Sequence, residues 1–250
     1  KFNPKFYLKD LTTENYYFYW MIDRYTLTNT SYVLKTFKND GENFEPIYNA
    51  YPTKKLPIIT LSKNDEISNF FWGSTRDMSK NNSLANRLIN VDISKVKRSN
   101  VLFNQFKFDR CLIPCDGFYF WKKLNIKEKT PYYFKYIKDK LMYCAGIREK
   151  YEDFSGNRFY HFSFLTSSSS SEWKAFSNNS PLMVDMRYFD IWFDRKSSYD
   201  KIYPFLSAIK FSHFNNYTVS PYFDDKNSND ASLIEPKESL NQYGNYSLFD

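Results

Sequence analysis

Arg110-Cys111-Leu112-Ile113-Pro114-Cys115-Asp116-Gly117-Phe118-Tyr119-Phe120-Trp121 is the stretch on which the fold reading rests. Its first half is a short apolar run of the kind that forms a buried strand, and Asp116-Gly117 is a turn signal. Outward from it, Leu56 to Leu61, Ile67 to Trp72, Tyr132 to Ile137, Met142 to Ile147 and Phe159 to Thr166 also read as strands. The last alternates, with Tyr160, Phe162 and Phe164 on one face and His161, Ser163 and Leu165 on the other. Met21 to Phe37 reads as a strand and then a helix, Met186 to Phe193 and Tyr199 to Phe205 as short helices, and Ser167 to Ser171 as a loop. Asn81 to Asn90 reads as helical or irregular, ending in a short strand, and the chain from Asp224 onward as extended. Many short strands without a βαβ rhythm predict an α+β fold: one domain of mainly antiparallel strands with flanking short helices.

A chain of 250 residues can bury the core of one large domain. Aromatic residues make up 21% of it, too much ring surface for a disordered chain. A compositional bias toward Lys, Asn, Phe, Tyr and Ile would raise the same count, so ring number alone does not signal base stacking. The formal net charge is +7; residues 224–250 hold six acids against Lys226 and Lys237, so the body before them carries +11. A basic body fits a polyanionic partner, and equally a lysine-rich solvated surface. Three cysteines at no metal-like spacing and only His161 and His213 argue against a disulfide framework or a metal centre. No cofactor is implied. No apolar run reaches membrane-spanning length, and an intracellular protein of open compartment is the reading.

Six further segments extend the pattern. Tyr48-Asn49-Ala50-Tyr51-Pro52-Thr53 leads into Leu56-Pro57-Ile58-Ile59, Phe71-Trp72-Gly73 follows, and then Leu88-Ile89-Asn90. Cys144-Ala145-Gly146-Ile147 with Glu149, Phe162 to Thr166, and Val219-Ser220-Pro221 with Leu233-Ile234-Glu235-Pro236 complete the set. In this order they resemble the SRAP family, named for SOS response-associated peptidases, whose signature reads roughly RCLIPADGFYEW. The resemblance covers residues 21–236, leaving 1–20 as an N-terminal extension and 237–250 as a tail. It implies a single SRAP-like domain and a family chemistry directed at abasic sites in single-stranded DNA. There an N-terminal Cys closes a thiazolidine on the sugar aldehyde, assisted by an Asn, a Glu and a His.

Aligned on that pattern, Ile22 stands where the family has the Cys, Phe120 where it has the Glu, and Ser177 where it has the His. Only Asn90 keeps its type, and Asp92 falls where the family contacts phosphate. The expectation is therefore a catalytically inactive SRAP-like domain that serves as a nucleic-acid-binding or assembly component. Arg24, Pro52, Trp72, Asn90 and Trp121 match the family's DNA groove, and Arg76, Lys97 and Arg98, with Lys95, Lys122 and Lys123, add positive charge. Trp72 and Trp121 read alternatively as core anchors. Two other functions stay open. One is a protein–protein scaffold within a larger complex, docking through the aromatic run Tyr16 to Trp20. The other is crosslinking through a displaced cysteine such as Cys115.

Overall fold

The computed structural model describes residues 22–37, 44–60, 66–73, 89–123, 129–152 and 158–238. The N-terminal extension, Arg76, residues 81–88 and the last twelve positions of the tail, 239–250, lie outside the described residues. Strand β6 (Arg110–Cys115) is buried along its whole length, which is why its sequence after Arg110 is continuously apolar rather than alternating. It runs antiparallel to β9 (Met142–Glu152) from Arg110↔Ile147 to Cys115↔Met142. On its other edge it meets β3 (Lys55–Thr60) at Ile59↔Leu112. Next come β4 (Glu66–Trp72), antiparallel to β3, and β10 (Arg158–Ser168), parallel to β4. Because β10 also pairs with β9, these strands close into a ring. Short strands β5 (Asn90–Asp92), β11 (Asn179–Val184) and β12 (Leu206–Ala208) extend the same sheet.

At Asp116 the chain changes sheets. β7 (Gly117–Lys123) enters a second, antiparallel sheet ordered β13 (Phe214–Thr218), β8 (Lys129–Tyr136), β7, β1 (Tyr25–Leu27), β2 (Ile47–Ala50). The Asp116 carboxylate accepts from Thr26 Oγ1 at 2.5 Å, from the Thr28 amide at 2.6 Å and from the Asn29 amide at 3.0 Å. That fixes the turn from β1 into helix α1 (Thr30–Thr36). Gly117 follows because any Cβ there would collide with the Tyr133 ring on β8, so only glycine lets the two strands approach.

Arg110 holds two helix ends at once. Its guanidinium donates to the Phe106 and Lys107 carbonyls, closing α2 (Asn100–Phe108), and to the Trp192 and Asp194 carbonyls, closing α3 (Phe189–Phe193). A cation satisfying orphan carbonyls at a helix C-terminus is favoured by hydrogen bonding and by the helix dipole. Burial lowers its pKa to about 10, still charged at neutral pH.

The α+β class and the strands expected from the apolar runs are present. Helix α2 was not anticipated, since its mixture of Asn, Val, Phe and Lys gives no clean period; the Ser99 cap, accepting from the Leu102 amide, was its visible signal. The chain from Asp224 onward is not extended throughout, and 3-10 turns occur both just before it and within it. Ser220 and Asp230 cap two 3-10 turns, Pro221–Asp224 and Ala231–Ile234, whose Phe223 and Leu233 pack into a small second core with Tyr119 and Tyr133.

Candidate nucleic-acid interface

Strand β1 lies between β2 and β7, with Tyr25 opposite Ala50 on one side and Phe118 on the other. One step back the Arg24 carbonyl accepts from the Tyr119 amide at 3.3 Å. The residues leading into β1, Ile22 to Arg24, therefore run beside Tyr119 to Trp121, which brings the distant positions 22 and 120 to one end of the sheet.

All four positions aligned with the family's reactive groups are buried. Ile22 is sealed from solvent, and its carbonyl accepts from Asn90 Nδ2 at 2.7 Å. Asn90 Oδ1 is buried with no hydrogen-bond partner among the described residues. Phe120 packs against Phe134 and Trp173 at 5.5 and 5.6 Å between ring centres. Ser177 is tied down, its hydroxyl donating to the Asn179 carbonyl at 2.7 Å and its amide to the Trp173 carbonyl at 2.8 Å. Asn90 and Ile22 thus touch, while Phe120 and Ser177 meet through Trp173. Cys111, Cys115 and Cys144 are buried too, and burial pushes the Cys111 and Cys115 thiols up, away from thiolate. The ionisable group at this end of the sheet is Asp23. Burial raises its carboxyl to about 6; Asp224 adds to the rise, and Arg24 and Lys129 oppose it.

The expected groove residues divide. Trp72 is wholly buried, its indole donating to the Ile89 carbonyl at 3.0 Å and its ring meeting Tyr25 and Phe164 at 5.2 Å each, so it has no face to offer a base. Its place is the core. Arg24 is also buried and donates to the carbonyls of Phe223 at 3.1 Å, Asp23 at 3.0 Å and Asp224 at 3.5 Å. It clasps the C-terminal segment rather than presenting a free guanidinium. Lys97 and Arg98 are exposed on the 3-10 turn Ile93–Arg98, and Lys97 pairs with Asp200 at 2.6 Å. The Asp92 carboxylate caps that same turn at the Ser94 amide. Pro52 is half-buried beside Thr53, which holds a left-handed φ of 77°. Trp121 is half-buried, with Lys129 Nζ 3.7 Å from its ring centre and Phe223 at 5.4 Å.

Several rim residues escaped the sequence reading. Tyr51 is half-buried and surrounded by Arg24, Lys54 and Lys226 at 5.7, 5.5 and 5.5 Å from its ring centre. Tyr222 is 71% exposed beside Phe223. Lys122, which the sequence reading names for its charge, reaches toward the Tyr132 ring at 5.8 Å. Tyr51, Lys129 and Lys226 gather near the expected Trp121 from three separate segments, so no single linear motif announces them together. Partly exposed rings interleaved with ammonium groups are what a single-stranded nucleic acid needs: faces for bases and charge for phosphates.

The model of the family "SOS response associated peptidase (SRAP)" matches residues 21–225. The chain belongs to this family. Among its curated relatives, the abasic site processing protein YoaM of Bacillus subtilis is 24% identical over 199 residues, 79% of this chain and 88% of that protein. The abasic site processing protein YoqW of the same bacterium is 25% identical over 201 residues, 80% and 89% of the two chains. The fold matches a solved Bacteroides thetaiotaomicron protein with a TM-score of 0.74 at 18% identity, covering 86% of this chain and 99% of that one. A phage-related protein of Bordetella bronchiseptica gives 0.60 at 18% identity, with 79% and 93% covered. Among the described residues no group of three His, Cys, Asp or Glu side chains could hold a metal ion, and no helix is long and apolar enough to cross a membrane.

Proposed function

We propose that this SRAP domain binds abasic single-stranded DNA without bonding to it covalently. The observation that carries the reading is the contrast between interior and rim. Where family chemistry would need a thiol, a carboxylate and an imidazole, the chain has Ile22, Phe120 and Ser177, each buried. Around them, Trp121, Tyr51 and the exposed Tyr222 stand among Lys54, Lys129 and Lys226. Phosphate attraction and base stacking survive such a rim; at these three positions nucleophilic attack has no group to start from. All three cysteines are buried, and burial keeps the protons on Cys111 and Cys115, which gives a displaced-thiol route no support. The relatives' role in abasic-site processing supplies the substrate class.

The test pairs two assays on one abasic oligonucleotide. Fluorescence anisotropy at low salt is expected to show binding that weakens with rising salt, and a denaturing gel is expected to show no adduct. A boiling-resistant adduct would overturn the non-covalent part, and absence of binding at low salt would overturn the interface.

A further inference from the structure

Helix α2 lies over the face of β9 and β10 that carries Ile147, Glu149, His161 and Ser163, and the space between them is a cavity of about 110 Å³. Its walls are apolar, made by Val91, Val101, Leu102 and Ile147, with Gln105 from the helix adding an amide. Arg148 borders it too; its Nη2 pairs with Asp109 at 3.3 Å and its guanidinium stands 5.9 Å from the Phe70 ring, while its Nε is buried without a partner among the described residues. His161 and Glu149 are directly paired across the strands, so their side chains share this face. His161 is 4% exposed, and its Nε2 is buried without a hydrogen-bond partner among the described residues. Burial holds the imidazole neutral, leaving one ring nitrogen a donor and the other an acceptor. An orphaned buried polar atom in an open-mouthed cavity favours an occupant that completes its bond.

Size and polarity define that occupant. An enclosed apolar cavity of about 150 Å³ accepts benzene; this one is smaller, so a single six-membered ring fits only with one edge in the mouth beside the exposed Val101 and Glu149, and a fused pair is too large. Glu149 only accepts hydrogen bonds and disfavours anions, Gln105 both donates and accepts, and the apolar walls favour a flat, neutral body. We propose that the cavity binds a single-ring lactam heterocycle of the pyrimidine-base class. Its ring N–H groups would face Glu149 and His161, and its carbonyl the Gln105 amide. The site is separate from the rim around Ile22, because Val91 lines it whereas the adjacent Asn90 bonds to Ile22, and successive strand residues face opposite ways.

The experiment is a backbone amide NMR titration of the full chain with uracil, with benzene as the apolar control and hypoxanthine as the fused-ring control. Two substitutions at exposed positions on the mouth, Val101→Trp and Glu149→Gln, leave the core alone; an otherwise unchanged spectrum verifies their fold. Uracil is expected to shift residues 101–105, 147–149 and 161–163. Val101→Trp should weaken it more than tenfold and Glu149→Gln about fivefold, with hypoxanthine not binding. Neither variant should alter affinity for abasic DNA, which separates failure here from failure of the DNA reading. Equal shifts by benzene, or no localised shift with uracil at its solubility limit, would overturn the proposal, the second meaning that water alone fills the cavity. A deoxyuridine oligonucleotide distinguishes the source. If it shifts the same residues and Val101→Trp abolishes the effect, the ligand is a base on a strand; if only free uracil does so, it is a free base.

Discussion

Asp23 puts a titratable group beside the apolar site. Its carboxyl is raised from an ordinary 3.8 to about 6, chiefly by burial. A carboxyl that holds its proton more tightly in the fold stabilises the fold when protonated. That stability is complete below 3.8, declines as pH climbs from there to about 6, and stays lost above. Asp23→Asn, a neutral isostere, should raise stability at pH 8 by about 1–2 kcal/mol, the partial exposure of the group reducing the full two-unit value. At pH 3.5 the gain should vanish; urea unfolding at the two pH values measures it. Phe120 makes the complementary point. Its ring fits among Phe118, Phe134 and Trp173, so Phe120→Glu would bury an unpaired carboxyl in an aromatic cluster. We expect a loss of about 3 kcal/mol or more, against about 1 kcal/mol for Phe120→Leu. A glutamate variant as stable as the wild type would show that the cavity for a catalytic acid persists.

The crossover between sheets depends on the Asp116-Gly117 turn, and its local geometry is testable as a pair. Gly117→Ala drives a methyl into the Tyr133 ring and should cost about 2–3 kcal/mol, while Tyr133→Leu in the same background should restore part of it, a coupling of about 1 kcal/mol or more in a double-mutant cycle. Purely additive losses would mean that β7 and β8 separate instead. At this scale the fold was legible because β6 and the first half of β9 are apolar runs, β10 alternates, and a motif such as Arg110 to Trp121 places charged and small residues where only one geometry satisfies them. Helix α2 was not, since Val101, Phe103 and Phe108 point outward and blur its period. The site was half legible. Ile22, Phe120 and Asn90 follow from alignment with a family pattern, whereas Trp72 looks the same in sequence whether it stacks on a base or fills a core. Tyr51 and Lys226 met only through tertiary contacts between segments far apart along the chain.

Those contacts make the C-terminal segment part of the proposed interface. Arg24 reaches Phe223 and Asp224 carbonyls, Asn49 Nδ2 donates to the Asp225 and Ser228 carbonyls at 2.9 and 3.0 Å, and Asn229 Oδ1 accepts from the Tyr48 and Asn49 amides at 3.1 Å each. Tyr222 and Lys226, both on the rim, belong to this strap, so the molecule positions them from 170 or more residues away through backbone-directed hydrogen bonds. Contact and positioning then separate by salt. Lys54→Ala and Lys226→Ala remove ammonium groups, and each should lower the slope of log affinity against log salt by about 0.7. Asn49→Ala removes no charge. It should weaken binding with the slope nearly unchanged, and raise hydrogen exchange across residues 221–237 while the ring of β9, β6, β3, β4 and β10 stays protected. If Asn49→Ala leaves exchange in that segment untouched, the strap is held by Phe223 and Leu233 packing, and its polar clasp is dispensable.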